Sequence, residues 1–94
     1  MCTSDHGNYA GDYGVPASCW TGLHDAAIRI PLAARMPGGR GRGVFTGLVQ
    51  HIDLFATLLE MAGVQPRVAQ HGRSLLGVLK HAGPAEDLPL RDAV

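Results

Sequence analysis

Asp5 and His6 stand side by side and are followed by Gly7. A carboxylate and an imidazole in adjacent positions can face one ion where the backbone turns sharply, and glycine permits such a turn. The aspartate supplies a hard oxygen and the histidine a borderline nitrogen. That mixture suits zinc or manganese and tolerates calcium or magnesium less well. The competing reading is a plain turn whose aspartate is bonded to its own backbone. Taken alone, the pair leaves both readings open. Other candidate groups are weaker still. His24 lies where a ligand-facing loop could run, but a loop histidine without an identified partner is more often solvated. His51, His71 and His81 sit in polar surroundings and receive no role. Cys2 and Cys19 can pair or stay free, and their count leaves the compartment open.

The elements that must position these residues follow from the apolar pattern. Residues 1–27 lack sustained periodicity and are punctuated by Gly7, Gly11, Gly14, Pro16 and Gly22, which predicts a long irregular loop. Loops of that length in compact domains usually carry function. Residues 27–35 read as one strand, with Ile28, Ile30 and Leu32 alternating with Arg29 and Pro31. Pro31 lacks a ladder donor and favours a strand start or an edge. Residues 36–43, Met-Pro-Gly-Gly-Arg-Gly-Arg-Gly, form a turn or flexible loop. The spacing of Ile52, Phe55, Leu58, Leu59 and Ala62 predicts a helix over 49–62. Asp53 is placed to cap it, and Gly63 to end it. A short second helix is expected over 74–80, capped by Ser74. Residues 83–94, rich in proline and charge, read as a poorly ordered tail.

Composition excludes several classes. Eight basic residues balance eight acidic ones. The only basic cluster, Arg35, Arg40 and Arg42, is diluted by glycine and lacks interleaved aromatics, so nucleic-acid binding is not expected. No stretch approaches the ~18 apolar residues of a membrane span. The first residues show neither the charged nor the apolar region of a signal peptide. Ninety-four residues allow one small domain, whose core would be marginal.

Five segments, taken in order, resemble the sulfatase family of the alkaline phosphatase superfamily. Thr3-Ser4-Asp5-His6-Gly7 with Gly11-Asp12-Tyr13-Gly14 is similar to its Ser-Asp-(His or Asn)-Gly strand end and the Gly-Glu-His-Gly-like segment that follows. His24-Asp25-Ala26-Ala27-Ile28-Arg29-Ile30-Pro31-Leu32 resembles Tyr-Glu-x-x-x-Arg-Val-Pro-Leu, and Pro37-Gly38-Gly39 the Pro-Gly turn after it. The stretch from Asp53 through Thr57, Leu58 and Leu59 to Ala62-Gly63 resembles Asp-Leu-x-Pro-Thr-Leu-Leu-x-x-Ala-Gly. Gly72-Arg73-Ser74-Leu75-Leu76 resembles Gly-x-Ser-Leu-Leu.

The resemblance implies an α/β fold, a piece from the C-terminal side of an alkaline-phosphatase-like sulfatase domain. That piece would comprise a long N-terminal loop, one or two strands, one strong helix and one short helix. Residues 1–82 would be the partial domain. It also implies that Asp5 and His6 are metal ligands for a divalent cation (Ca, Mn, Zn or Mg), with an incomplete site. The substrate expected for the parent enzyme is a sulfate-ester small molecule or glycan, and phosphate or phosphonate esters are the alternative. Asp53 and Arg29 match recurrent structural positions, Arg29 pairing with a nearby carboxylate.

Departures from the pattern limit the expected activity. Neither Cys2-Thr3-Ser4 nor Cys19-Trp20-Thr21 fits the Cys/Ser-x-Pro-x-Arg motif that supplies the family's formylglycine nucleophile. The N-terminal Asp-Asp pair is not found, and no lysine precedes Lys80. Tyr13 replaces the usual His, and Ala56 the usual Pro. The chain is therefore expected to be a piece of a sulfatase-type hydrolase, inactive by itself. A non-catalytic interaction module with a partner chain, or a truncated gene product, are the alternatives. With fewer than the three strands needed for independent stability, weak cooperativity and an exposed apolar face along Ile52, Phe55 and Leu59 are expected.

Overall fold

The structure, a computed structural model, describes residues 1–17, 22–38 and 43–80. Cys19, Trp20, Arg40, Arg42, His81 and the tail 83–94 lie outside the described residues. The chain divides into two compact units, Met1–Ala34 and Arg35–Val94.

In the first unit, β1 (Cys2–Thr3) pairs antiparallel with β2 (Leu32–Ala33), Cys2 opposite Ala33 and Thr3 opposite Leu32. The ribbon is two-stranded and minimal. The Thr3 hydroxyl fastens it by donating to the Pro31 carbonyl at 2.8 Å. Pro31 stands immediately before β2, the strand-start position expected of a residue without an N–H. The rest of the expected strand over 27–35 is different. Asp25–Ile28 forms one helical turn, α1, closed by bonds from Ala27 and Ile28 to His24 and from Arg29 to Asp25. Two alanines favour the helical turn, and the Asp25 carboxylate sits in the first turn beside free amides. The alternation of Ile28, Ile30 and Leu32 therefore spans a helix end and a strand. Arg29 and Asp25 meet at 3.8 Å, both well exposed, the structural pairing expected of Arg29.

In the second unit, α2 runs from His51 to Met61 and α3 from Leu76 to Lys80. The Asp53 carboxylate turns back to accept the Gln50 N–H at 2.8 Å, half of a capping box at the start of α2. At its end, the Val64 N–H donates to Leu59 and the Gly63 N–H to Glu60, with Gly63 at φ 66°. That is a Schellman arrangement, which requires the left-handed residue that glycine supplies. Ser74 accepts the Leu76 N–H at 3.2 Å and caps α3 two residues later than the sequence pattern placed its start.

The packed face of α2 is polar at its centre. Asp53 and Thr57, one turn apart, are both buried, beside Leu75 and Leu76. The other oxygen of Asp53 accepts the Arg73 N–H at 2.8 Å. The Thr57 hydroxyl donates to the Asp53 carbonyl at 2.5 Å and accepts the Leu75 N–H at 2.8 Å. Two side chains of α2 thus satisfy the backbone leading into α3, where an unpaired buried amide would be costly. Gly72 lets the chain come that close, since a Cβ there would overlap the Ile52 carbonyl. The apolar stripe points the other way. Ile52, Phe55, Leu58 and Met61 are exposed, Phe55 by 54%, while Leu59 is half-buried. No helix among the described residues is long and apolar enough to cross a membrane.

Candidate metal centre

Asp5 and His6 follow β1 directly, in a bend held by local hydrogen bonds. The Ser4 hydroxyl donates to the His6 carbonyl at 2.6 Å and lies 3.3 Å from Asp5 Oδ1. Asp5 Oδ1 also accepts the His6 N–H at 3.0 Å. The turn reading of the aspartate is therefore correct for one of its oxygens, and it leaves the second oxygen for other work. Gly7 then anchors the bend to α1, donating to the Ala27 carbonyl at 2.7 Å, and a Cβ at Gly7 would overlap the Ala26 carbonyl.

These contacts aim the donors. His6 Nδ1 lies 2.6 Å from the Gly7 carbonyl, a contact in which that nitrogen is the donor. The contact fixes the orientation of the ring. Nε2 stands 3.5 Å from Asp5 Oδ2. Two donors bound to one ion at about 2.1 Å each stand roughly 3–4 Å apart, so the separation fits shared ligation. The His6 N–H, the Asp5 backbone amide, the neighbouring His6 charge and the Ser4 hydroxyl hold the Asp5 carboxyl below the usual carboxylate range. The group that would bind a cation is thus kept ionised. Asp5 is well exposed and His6 less so.

The donor set is short. Among the described residues, no cluster of three or more His, Cys, Asp or Glu side chains forms. Protein sites for divalent cations usually supply three or four ligands, and Asp5 with His6 falls short of that count.

Beside it lies a cavity of about 50 Å³ lined by His6, Gly7, Tyr9, Gly22 and Ala27 among others. Tyr9 is buried and directs its hydroxyl to the Gly22 carbonyl at 3.3 Å. Its ring meets Tyr13 and His24 edge-on, with centroids at 6.3 and 5.9 Å, while Tyr13 and His24 stack at 4.6 Å with planes 26° apart. His24 is therefore not a free loop histidine, and it flanks α1 as the residue before Asp25. Residue types at the motif singled out Asp5 and His6 as candidates, and the structure brings their side chains together. Ser4, Tyr9 and the ring stack went unsingled because their roles depend on a backbone path that no periodicity records. His51 and His71 border an open groove on the outer side of α2 with Ile52 and Phe55, away from any acidic ligand in that lining.

The family described as N-sulphoglucosamine sulphohydrolase, C-terminal, matches residues 20–92, a stretch that begins after Asp5 and His6. The Escherichia coli strain K12 protein described as uncharacterized sulfatase YidJ is 36% identical over 81 residues, covering 86% of this chain and 16% of that protein. Human N-acetylglucosamine-6-sulfatase is 36% identical over 81 residues, 85% of this chain and 14% of its own length. The extracellular sulfatase SULF-1 homolog of Drosophila melanogaster is 35% identical over 78 residues, 82% of this chain and 7% of its own. The chain thus spans a sixth or less of each of these relatives. No solved structure matches it. With a family match over most of its length and sulfatases among its relatives, the chain belongs to the sulfatase family and corresponds to its C-terminal region.

Proposed function

We propose that this chain contributes Asp5 and His6 to the divalent-metal centre of a sulfatase-type hydrolase, and that it does not turn over substrate without the rest of such a domain. The observation that carries the reading is the 3.5 Å separation of Asp5 Oδ2 and His6 Nε2 in a bend that fixes both donors. A divalent cation held there would polarise the ester and template its approach. The protein's own part is to keep Asp5 ionised, to orient the His6 ring through its contact with the Gly7 carbonyl, and to close the bend with Ser4. Sulfate esters of aminosugars are the favoured substrate class, because a relative is named for N-acetylglucosamine 6-sulfate and the matching family for sulphoglucosamine. Phosphate and phosphonate esters present a similar tetrahedral anion and are the alternative.

The test is a chimera in which this chain replaces the matched segment of human N-acetylglucosamine-6-sulfatase. Activity on a sulfate ester that collapses in Asp5→Ala and His6→Ala supports the reading. An active chimera indifferent to both substitutions overturns it. Hydrolysis of an aryl sulfate above background by the purified chain alone overturns the second half of the proposal.

A second reading, an interaction module, is favoured by one observation, the exposed row of Ile52, Phe55, Leu58 and Met61 on α2. Exposed apolar patches of that kind mark contact surfaces. A purified chain that stays monomeric and binds no added sulfatase segment counts against it.

A further inference from the structure

Adjacent residues of a β-strand project to opposite faces. Asp5 and His6 are adjacent and lie just beyond β1, yet Asp5 Oδ2 and His6 Nε2 come within 3.5 Å. That convergence requires the strand to have stopped. Continued in the register of β1 and β2, Ser4 would stand opposite Pro31, Asp5 opposite Ile30 and His6 opposite Arg29. The ladder ends before the first of these pairings.

Pro31 supplies the reason. Its carbonyl is turned toward β1, where it accepts the Thr3 hydroxyl at 2.8 Å. A residue so turned in an antiparallel ladder exchanges two bonds with its opposite number, its carbonyl taking one and its N–H giving the other. Proline has no N–H to give. The chain from Ser4 to His6 leaves the ladder and satisfies its backbone locally. The His6 N–H goes to Asp5 Oδ1 at 3.0 Å, and the His6 carbonyl takes the Ser4 hydroxyl at 2.6 Å. Contact with the same neighbouring segment resumes at Gly7, whose N–H meets the Ala27 carbonyl at 2.7 Å. Asp5 and His6 thus occupy a gap in the pairing, bounded by Thr3 and Gly7. An N–H at position 31 would draw the Ser4 carbonyl into the ladder and narrow that gap. We propose that Pro31 is a positioning residue for Asp5 and His6: lacking a donor, it ends the ladder after Thr3 and lets both side chains turn toward one divalent cation. This rests on the metal-centre reading above.

The test compares three full chains that differ only at position 31: the parent, Pro31→Ala, and Pro31→N-methylalanine, which has no N–H and also no ring. Each is titrated with manganese, and broadening is followed at Asp5 and His6. In Pro31→Ala, β1 and β2 stay paired and the new amide at position 31 is protected from hydrogen exchange. The apparent manganese affinity of that variant falls about tenfold, the cost usual for a group that orients a ligand. In Pro31→N-methylalanine the affinity returns to that of the parent. Unchanged affinity in Pro31→Ala, or an unprotected amide there, overturns the proposal. So does a matching loss in Pro31→N-methylalanine, because the ring rather than the missing donor would then be responsible. Loss of β1–β2 pairing in Pro31→Ala also overturns it, since proline would then hold the ribbon together rather than end it. A parent chain without broadening at Asp5 and His6 is a separate failure, in which the metal-centre reading falls and the positioning role with it.

Discussion

The Ser4 hydroxyl reaches the His6 carbonyl at 2.6 Å and Asp5 Oδ1 at 3.3 Å, so one small side chain ties Asp5 and His6 into one bend. In Ser4→Ala the metal-free chain should show the Asp5 carboxyl moving up toward its ordinary value, read from the pH dependence of its side-chain resonance. The direction follows from the contacts. A carboxyl held low makes its bend-stabilising bonds above the ordinary value and loses them as pH falls through the lowered one. The bend should therefore loosen only in acid, and at a higher pH in the Ser4→Ala variant. An Asp5 titration unchanged by the substitution would rule this out. Asp5 and His6 were singled out in the sequence because their residue types could ligate a metal, and the structure sets them in one bend. Their shared orientation was not, since it comes from Ser4, Gly7 and the Ala27 carbonyl twenty residues on. The sequence also could not show that Tyr13 and His24 are in contact, because a spacing of eleven residues has no meaning in an irregular loop.

At the scale of elements, α2 was the most legible part of the chain. Its period of 3.6 residues, its Asp53 start and its Gly63 end all correspond to bonds in the structure. The exposed apolar face expected along Ile52, Phe55 and Leu59 is found at Ile52 and Phe55, while Leu59 is half-buried. The face used within the unit carries Asp53 and Thr57. Thr57→Val keeps the shape but strands the Leu75 N–H, and should cost about 1–3 kcal/mol in urea denaturation. Asp53→Ala removes acceptors from both Gln50 and Arg73 and should reduce helical ellipticity as well as stability. Gly72→Ala should cost about 1–3 kcal/mol through the overlap with the Ile52 carbonyl. If all three substitutions are neutral, the polar seam is not what fastens α3 to α2. The strand expected over 27–35 was only half right. Its alternation crossed from α1 into β2, and Pro31 was the better signal because it acts through chemistry that does not depend on the partner strand.

At the scale of the molecule, two small units with, among the described residues, one minimal ribbon and few buried apolar side chains predict a broad, low-amplitude thermal transition. A sharp calorimetric peak would be incompatible with that. Phe55→Lys, at an exposed site, should raise solubility while leaving stability within about 0.5 kcal/mol. Family membership was legible from five ordered segments, because they record local necessities such as a helix cap or a close backbone approach. The central claim is that Asp5 and His6 form half of a metal centre, and manganese-induced broadening of the chain's amide resonances tests it most directly. The account predicts weak binding with broadening strongest at Ser4, Asp5, His6 and Gly7, lost in both Asp5→Asn and His6→Ala. Broadening centred elsewhere, for instance at His51 and His71, or unaffected by those substitutions, would contradict it.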